Sequence, residues 1–351
     1  LRALRYTPAA ALGSCRYKLT PQDYERVVQV FAAHQVGYFV YIGGNDSMDT
    51  CHRVEQLARD QGLDIQVIGV PKTIDNDLAG TDHCPGYGSA ARFVALVTMD
   101  TGRDLEAMQT FDDVTILEAM GRDTGWLAAA STLGKREPED APHLVYVPEK
   151  PFDENAFLDN VSRVHADLGH VFVVVGEGLK DRSGQTVGPA SGSEPADAFG
   201  HQLTALGTGV ASYLSHLVQS HLGLQARFLR PGLIGRALSV CVSPVDREEA
   251  YSAGRAAVQH LAEGQSGYMV SLVRESSRPY RCSLGRVPLT EVANKVRPLP
   301  PEFLEGHTGI AEAFRQYAEP LLGVPLPRYP RLARYLVAKR LPITGGQPCP
   351  E

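Results

Sequence analysis

Apolar and polar positions at the start of the chain follow first a helical and then a strand-like period. Thr20 before Pro21 predicts a capped helix start, and Val27, Val28, Val30 and Phe31 recur behind it at helical spacing. Residues 37–42 (GYFVYI) form an aromatic and β-branched strand that runs into Gly43-Gly44. A helix is predicted from Ser47 to Gln61, with Val54, Leu57 and Ala58 on one face, and Leu63 to Val70 is the next strand. A strand, helix, strand order with short turns predicts a right-handed parallel crossover and an open, doubly wound sheet. Further along, the pattern gives helices over Ala91–Met108, Glu154–Leu168 and His201–Leu222, another from Asp246, and one from about Gly309 to Leu321. Strands are predicted at Val114–Ala119, His170–Val175 and Tyr268–Val273, and the Gly-, Ser- and Pro-rich stretch Ser183–Phe199 reads as a mobile loop.

With 351 residues, 43% of them hydrophobic, the chain is long enough for two domains. A formal net charge of -6 argues against a general nucleic-acid surface. No apolar run approaches the roughly 20 residues that span a bilayer, and no signal-peptide pattern opens the chain. A soluble, cytoplasmic protein with neither nucleic-acid nor membrane partners is expected. The six cysteines are scattered without a C-x-x-C pair, so free thiols are expected.

In an open α/β sheet ligands belong at the carboxyl ends of the strands, where two polar turns lie. Gly43-Gly44 between a strand and a helix lets backbone amides approach an anion. The second turn, Pro71 to Asp77 (PKTIDND), carries two carboxylates. If that segment is extended, Asp75 and Asp77 point to the same side. One could then hold a metal while the other takes a proton from a hydroxyl, with Lys72 near a phosphate. That is a layout for phosphoryl transfer, although the same residues also suit an ordinary turn. His83, beside a cysteine and a proline, reads as a loop residue without chemistry.

At this point the chain resembles the phosphofructokinases, and within them the diphosphate-dependent branch. The resemblance rests on LGSCRYKL (Leu12 to Leu19), IGGNDSMDT (Ile42 to Thr50), PKTIDND, MGRDTGW (Met120 to Trp126) and the Glu-Gly pair in VVVGEGLKD (Val173 to Asp181), in the expected order. It continues more loosely through Arg236 and SPVDREEAYSAGRAAV (Ser243 to Val258). It implies two doubly wound, Rossmann-like parallel-sheet domains with the active site in the cleft between them. Residues 1–88 plus about 246–300 would bind the phosphoryl donor, and 89–245 plus about 301–351 fructose 6-phosphate.

The roles implied are specific. Asp75 is the general base, and Thr73, Arg122 and Arg16 stabilise the phosphoryl group in transit. Gly43, Gly44, Asn45, Asp46, Ser47 and Lys72 bind and select diphosphate. Asp77, Met120, Gly121, Glu177, Arg236, Tyr280 and Arg281 address the sugar phosphate, with Lys18 and Arg247 as further phosphate candidates. Mg²⁺ is the implied cofactor, held by Asp77 and Asn45. Because relatives build sites across subunits, a homodimer or higher homo-oligomer is expected.

Donor choice follows from positions 46 and 72, both Gly in ATP-using relatives. Asp46 places an anion where the α-phosphate would lie, and two like charges at about 4 Å cost roughly 4 kcal/mol at an effective dielectric near 20. Such repulsion lowers nucleotide affinity by roughly three powers of ten, while Lys72 adds a cation suited to diphosphate. The chain departs from the pattern in places. Asp113 stands where relatives carry a basic residue, Gly235 precedes Arg236 where relatives have Gln, and Asn45 replaces a carboxylate. Nothing corresponds to the opening strand and Gly-rich turn of relatives, so the chain is expected to lack them. An ATP-dependent phosphofructokinase and a non-catalytic partner subunit remain as alternatives.

Overall fold

The computed structural model describes residues 2–15, 17–188, 209–333, 335 and 337–338. The main elements run α1 (Pro21–Ala33), β1 (Tyr38–Gly43), α2 (Asn45–Asp60), β2 (Gln66–Pro71), α3 (Tyr87–Ala107), β3 (Val114–Ala119), α4 (Trp126–Ala130), β4 (Leu144–Tyr146) and α5 (Glu154–Leu168). They continue through β5 (Val171–Gly176), α6 (Val210–Leu222), β6 (Ala226–Leu229), α7 (Pro244–Ala262), β7 (Tyr268–Ser277), β8 (Tyr280–Pro288), α8 (Leu289–Val292), β9 (Leu304–Glu305), β10 (Gly309–Ile310) and α9 (Glu312–Ala318). Thr20 caps α1 as expected, and Asp23 answers it from the third helical position to complete a capping box.

Two four-stranded sheets form the frame. The first has the order β1-β2-β7-β8 and the second β4-β5-β3-β6. All pairings of the second sheet are parallel, as are β1–β2 and β2–β7 in the first. The parallel-sheet expectation needs one addition: β8 runs antiparallel to β7 as an edge strand, because residues 278–279 turn the chain straight back. Only Tyr268–Val273 reads as strand in sequence, since exposed polar positions on β8 mask its alternation.

Each sheet is wrapped on both faces, which the period of two in its strands dictates. Val67 and Met269 pack with Met48, Cys51, Val54 and Ala58 of α2 and with Val28 of α1. Ile68, Val70 and Val270 turn the other way onto Ala253, Ala257 and Leu261 of α7. In the second sheet Ile116, Val173 and Val175 meet Phe157 and Val161 of α5 and Leu214 of α6. Leu117, Ala119, Phe172 and Val174 face α3 and α4. Each aliphatic side chain removed from water in this way contributes roughly 1.5–3 kcal/mol.

The two sheets meet around Trp126, 1% exposed, which touches the rings of Tyr87, Phe303, Phe314 and Tyr317. The helix expected from about Gly309 to Leu321 is interrupted. Gly309 and Ile310 pair with β9, α9 ends at Ala318, and a 3₁₀ turn with Pro320 closes the segment. Cys15, Cys51, Cys84, Cys241 and Cys282 are free thiols. Residues 189–199 of the expected mobile loop and 201–208 of the expected helix lie outside the described residues.

Candidate active site

The strand register brings the two polar turns side by side. Gly43 of β1 is paired with Pro71 of β2, and the Lys72 amide donates to the Gly43 carbonyl at 3.0 Å. Helix α2 begins at Asn45, two residues before the expected start, so Asn45 and Asp46 belong to its first turn rather than to a preceding loop. Its N-cap, Gly44, offers no side chain to the first-turn amides. That leaves the positive end of the helix open to an anion.

The carboxylate segment is not extended, which corrects the expectation for Asp75 and Asp77. It bends after Thr73, and Asn76 has φ +57, a left-handed conformation that asparagine tolerates better than most residues. The Thr73 hydroxyl accepts from the Asp75 amide at 3.0 Å, and Asn45 Nδ2 donates to Asp77 Oδ2 at 3.3 Å. One oxygen each of Asn45, Asp75 and Asp77 is buried without a hydrogen-bond partner among the described residues. The Asp75 carboxyl is pushed up to about 7, first by burial and then by Asp77 and Glu177, against the opposing pull of Arg122 and Lys72. Burial also raises Asp77, partly offset by hydrogen bonds from its own amide, Thr73 and Asn45.

The second sheet supplies the opposite wall. Ala119 of β3 is paired with Gly176 of β5, so Met120–Arg122 and Glu177 leave adjacent strand ends, tied by a bond from the Glu177 amide to the Ala119 carbonyl at 3.0 Å. The Gly121 amide donates to Glu177 Oε1 at 3.2 Å, and burial raises the Glu177 carboxyl. Gly121 has φ +118, and at Gly178 a Cβ would lie 1.6 Å from the Arg122 carbonyl oxygen. Only glycine permits that contact, which seats the Arg122 backbone on the Glu177 turn. Thr124 Oγ1 then donates to the Asp75 carbonyl at 3.1 Å, linking this wall to the carboxylate segment. Arg122 is exposed, and its guanidinium makes no hydrogen bond or ion pair with a described residue. Lys72 is also exposed.

Asp75, Thr73, Asp77, Gly43, Gly44, Asn45, Asp46, Ser47, Lys72, Met120, Gly121, Arg122 and Glu177 therefore gather at the facing strand ends of the two sheets. Arg16 lies outside the described residues. Arg236 is exposed at the end of the 3₁₀ turn Gly232–Arg236, among the exposed apolar side chains of Leu233, Ile234, Leu238 and Val240. Tyr280 and Arg281 open β8 at the carboxyl end of β7, and the Tyr280 hydroxyl is engaged outside the cluster. They sit on the edge strand β8, where the Tyr280 hydroxyl donates to Glu249 at 2.5 Å. Asp113 accepts from the Gln225 amide at 2.8 Å and pairs with His165 at 3.0 Å, a local structural use.

His83 is no idle loop residue. It is 2% exposed, with Nδ1 2.7 Å from Asp82 and Nε2 2.7 Å from Glu249. Sequence reasoning also misses Arg297 and Glu149. Glu149 accepts from the amides of Gly125 and Leu299 at 2.9 and 2.7 Å. Nothing local marks either one, because their partners are backbone groups far away in sequence.

Among the described residues no group of three or more His, Cys, Asp or Glu could hold a metal ion by itself. Asp77 and Asn45, each with a buried oxygen unbonded, nonetheless fit Mg²⁺, which takes few protein ligands and completes its shell with water and substrate phosphate.

Comparison with known proteins agrees with this geometry. The family model described as Phosphofructokinase matches residues 1–261. The pyrophosphate–fructose 6-phosphate 1-phosphotransferase of Xanthomonas campestris pv. campestris (strain B100) is 42% identical, over 99% of this chain and 85% of that protein. The enzyme of the same name from Halomonas elongata (strain ATCC 33173 / DSM 2581 / NBRC 15536 / NCIMB 2198 / 1H9) is 38% identical, over 97% of this chain and 84% of that protein. The crystal structure of pyrophosphate-dependent phosphofructokinase from Marinobacter aquaeolei matches with a TM-score of 0.80 at 37% identity, covering 97% of this chain and 82% of that one. With a cluster of acids and cations at the facing ends of two wrapped sheets, and a family model spanning most of its length, the chain belongs to the phosphofructokinase family.

Proposed function

We propose that this chain transfers a phosphoryl group from diphosphate to the C1 hydroxyl of fructose 6-phosphate, giving fructose 1,6-bisphosphate and phosphate. The observation that carries the reading is Asp75: a carboxyl pushed up to about 7 with an unbonded oxygen, among Asp77, Glu177, Arg122 and Lys72. A base with that pKa is half ionised near neutral pH and competent to take a hydroxyl proton as the oxygen attacks phosphorus. The bond to the bridging oxygen of diphosphate breaks, phosphate leaves, and Asp75 returns its proton to solvent.

The remaining work is positioning and neutralisation. Arg122 and Lys72, whose side chains have no hydrogen-bond or ion-pair partner among the described residues, meet the phosphoryl oxygens together with Thr73, and Arg16 has the same role. The first-turn amides of α2 hold the distal phosphate, and Glu177 with Met120 and Gly121 orients the sugar. Asp77 and Asn45 would hold Mg²⁺, which supplies charge neutralisation when bound. The donor half comprises 1–88 and about 246–300, and the sugar half the rest. The exposed apolar stretch around Arg236 supports a homodimer in which Arg236 reaches the partner's sugar phosphate. No helix among the described residues is long and apolar enough to cross a membrane, and two phosphorylated substrates favour the cytoplasm.

A coupled assay with diphosphate or ATP as donor and fructose 6-phosphate as acceptor tests the reading. Phosphate release dependent on both diphosphate and sugar is expected; equal or faster turnover with ATP, or none with either donor, would overturn it. Sedimentation velocity reads the assembly, and a monomer at micromolar concentration would remove the homodimer.

A further inference from the structure

We propose that Arg297 is a positioning residue for this phosphoryl transfer, fixing the carboxylate segment against the loop of the second sheet; the inference rests on the function proposed above. Its guanidinium collects backbone carbonyls from one stretch of chain. Nε and Nη2 donate to the Asn76 carbonyl at 3.2 and 2.9 Å, and Nη1 to that of Thr81 at 3.1 Å and to that of Asp82. The plane also stacks on Trp126, with Cζ 4.4 Å from the ring centroid. Its backbone is tied to the same two places: the Arg297 amide donates to the Asp77 carbonyl at 2.7 Å, and Trp126 Nε1 to the Arg297 carbonyl at 3.1 Å.

One side chain thus grips the turn that carries Asp75 and Asp77 and rests on Trp126, which follows the Gly121–Gly125 loop and opens α4. The grip falls where the backbone most needs it. Asn76 is fully buried at φ +57, and a non-glycine residue stays in that conformation only when its surroundings hold it. Its side chain is itself fixed, accepting from the Cys84 amide at 3.0 Å and donating to the Tyr317 hydroxyl at 2.9 Å. Arg297 adds converging donors to the carbonyls of Asn76, Thr81 and Asp82, the last shared with the Tyr317 hydroxyl at 2.8 Å. A lysine there offers a single point charge and no stacking plane.

The test uses the full chain as Arg297→Lys and Arg297→Ala, each checked for folding by circular dichroism. With diphosphate and fructose 6-phosphate, kcat is expected to fall about 100-fold while both KM values stay within about threefold, the signature of misplaced reacting groups. Guanidinium in the tens of millimolar range should restore at least about tenfold of the Ala variant's kcat and methylammonium should not, because only the planar fork reaches several carbonyls. Hydrogen exchange should speed up in the peptide spanning residues 76–84 of the Lys variant. Unchanged kcat, a loss confined to KM, or unchanged exchange would each overturn the proposal. If the unaltered chain shows no diphosphate-dependent turnover, the functional reading fails by that result alone, and the exchange comparison still decides whether Arg297 holds the segment.

Discussion

The partly buried acids in the connection between β2 and α3 meet opposite fates. Asp75 and Asp77 each keep an oxygen unbonded among the described residues, and burial drives both carboxyls upward. A few residues on, Asp82 is also penalised by burial, yet hydrogen bonds from His83 and Arg274 outweigh it and hold the carboxyl low. His83 is raised in turn: burial alone would depress it, but Asp82 and Glu249 outweigh that effect. Arg274 closes one side with Nη2 2.9 Å from Asp82, and Tyr280 closes the other on Glu249. The second group is a finished knot, and the first is left open. Acids whose hydrogen bonds are incomplete in the resting protein are the ones poised to exchange a proton or meet a ligand.

The largest effect that distinguishes the two is expected for Asp75→Asn. Loss of a general base costs about 10²- to 10⁴-fold in kcat, read in the diphosphate assay. In the unaltered protein kcat/KM should rise with pH through about 7 as Asp75 ionises. Stability should move the other way. Because the folded pKa lies above the ordinary 3.8, the folded state binds more protons between about 4 and 7, and stability falls as pH rises through that window. Asp75→Asn should therefore raise the melting temperature at pH 8 and lose that advantage near pH 4. A variant that is no more stable at pH 8 would mean that Asp75 is not held under electrostatic stress.

Next in size is donor choice, which belongs to the open group alone. Asp46→Gly with Lys72→Gly should shift the ratio of ATP to diphosphate kcat/KM upward by up to roughly three powers of ten. No movement in that ratio would separate specificity from these two residues.

In the knot, Glu249→Gln should leave kcat within a few-fold at temperatures where the protein is folded, while removing about 3 kcal/mol of stability, because His83 loses a buried partner. The knot also has its own pH window. His83 contributes stability fully present below 6.5 and lost as pH rises through its higher folded pKa. Asp82 contributes stability present above 3.8 and lost as pH falls through its lower folded pKa. Denaturant melts across this range should show the Glu249→Gln penalty shrinking above neutral pH.

What sequence could and could not reveal follows the same division. Strand–helix alternation and the paired turns are local signals, so β1, α2, β2 and β3 and the acid and glycine residues at their ends were legible within three residues. The bend at Asn76 was not, because nothing in PKTIDND separates an extended run from a left-handed kink whose partners are Tyr317 and Arg297. His83 does lie in a loop, as expected, but its burial and its two ion pairs were hidden for the same reason. Its two carboxylates come from a sequence neighbour and from α7, and burial between them exists only once α7 packs onto the first sheet. Tyr280 and Arg281 were matched on residue type, while their position depends on the antiparallel turn that folds β8 back along β7.

The smallest expected effect bears on that last point and sharpens the comparison most cleanly. Tyr280→Phe removes one hydroxyl and almost no volume. If Tyr280 belongs to the knot, the loss is one hydrogen bond to Glu249, about 1–2 kcal/mol in denaturant melts, with the KM for fructose 6-phosphate unchanged. A residue contacting the sugar phosphate would instead raise that KM and leave the melts untouched. The geometry favours the first outcome, since the hydroxyl lies 2.5 Å from Glu249 Oε1 and 3.4 Å from His83 Nε2. Engaging a phosphate would require breaking the bond to Glu249 and bringing an anion up to a carboxylate, a repulsion that works against binding.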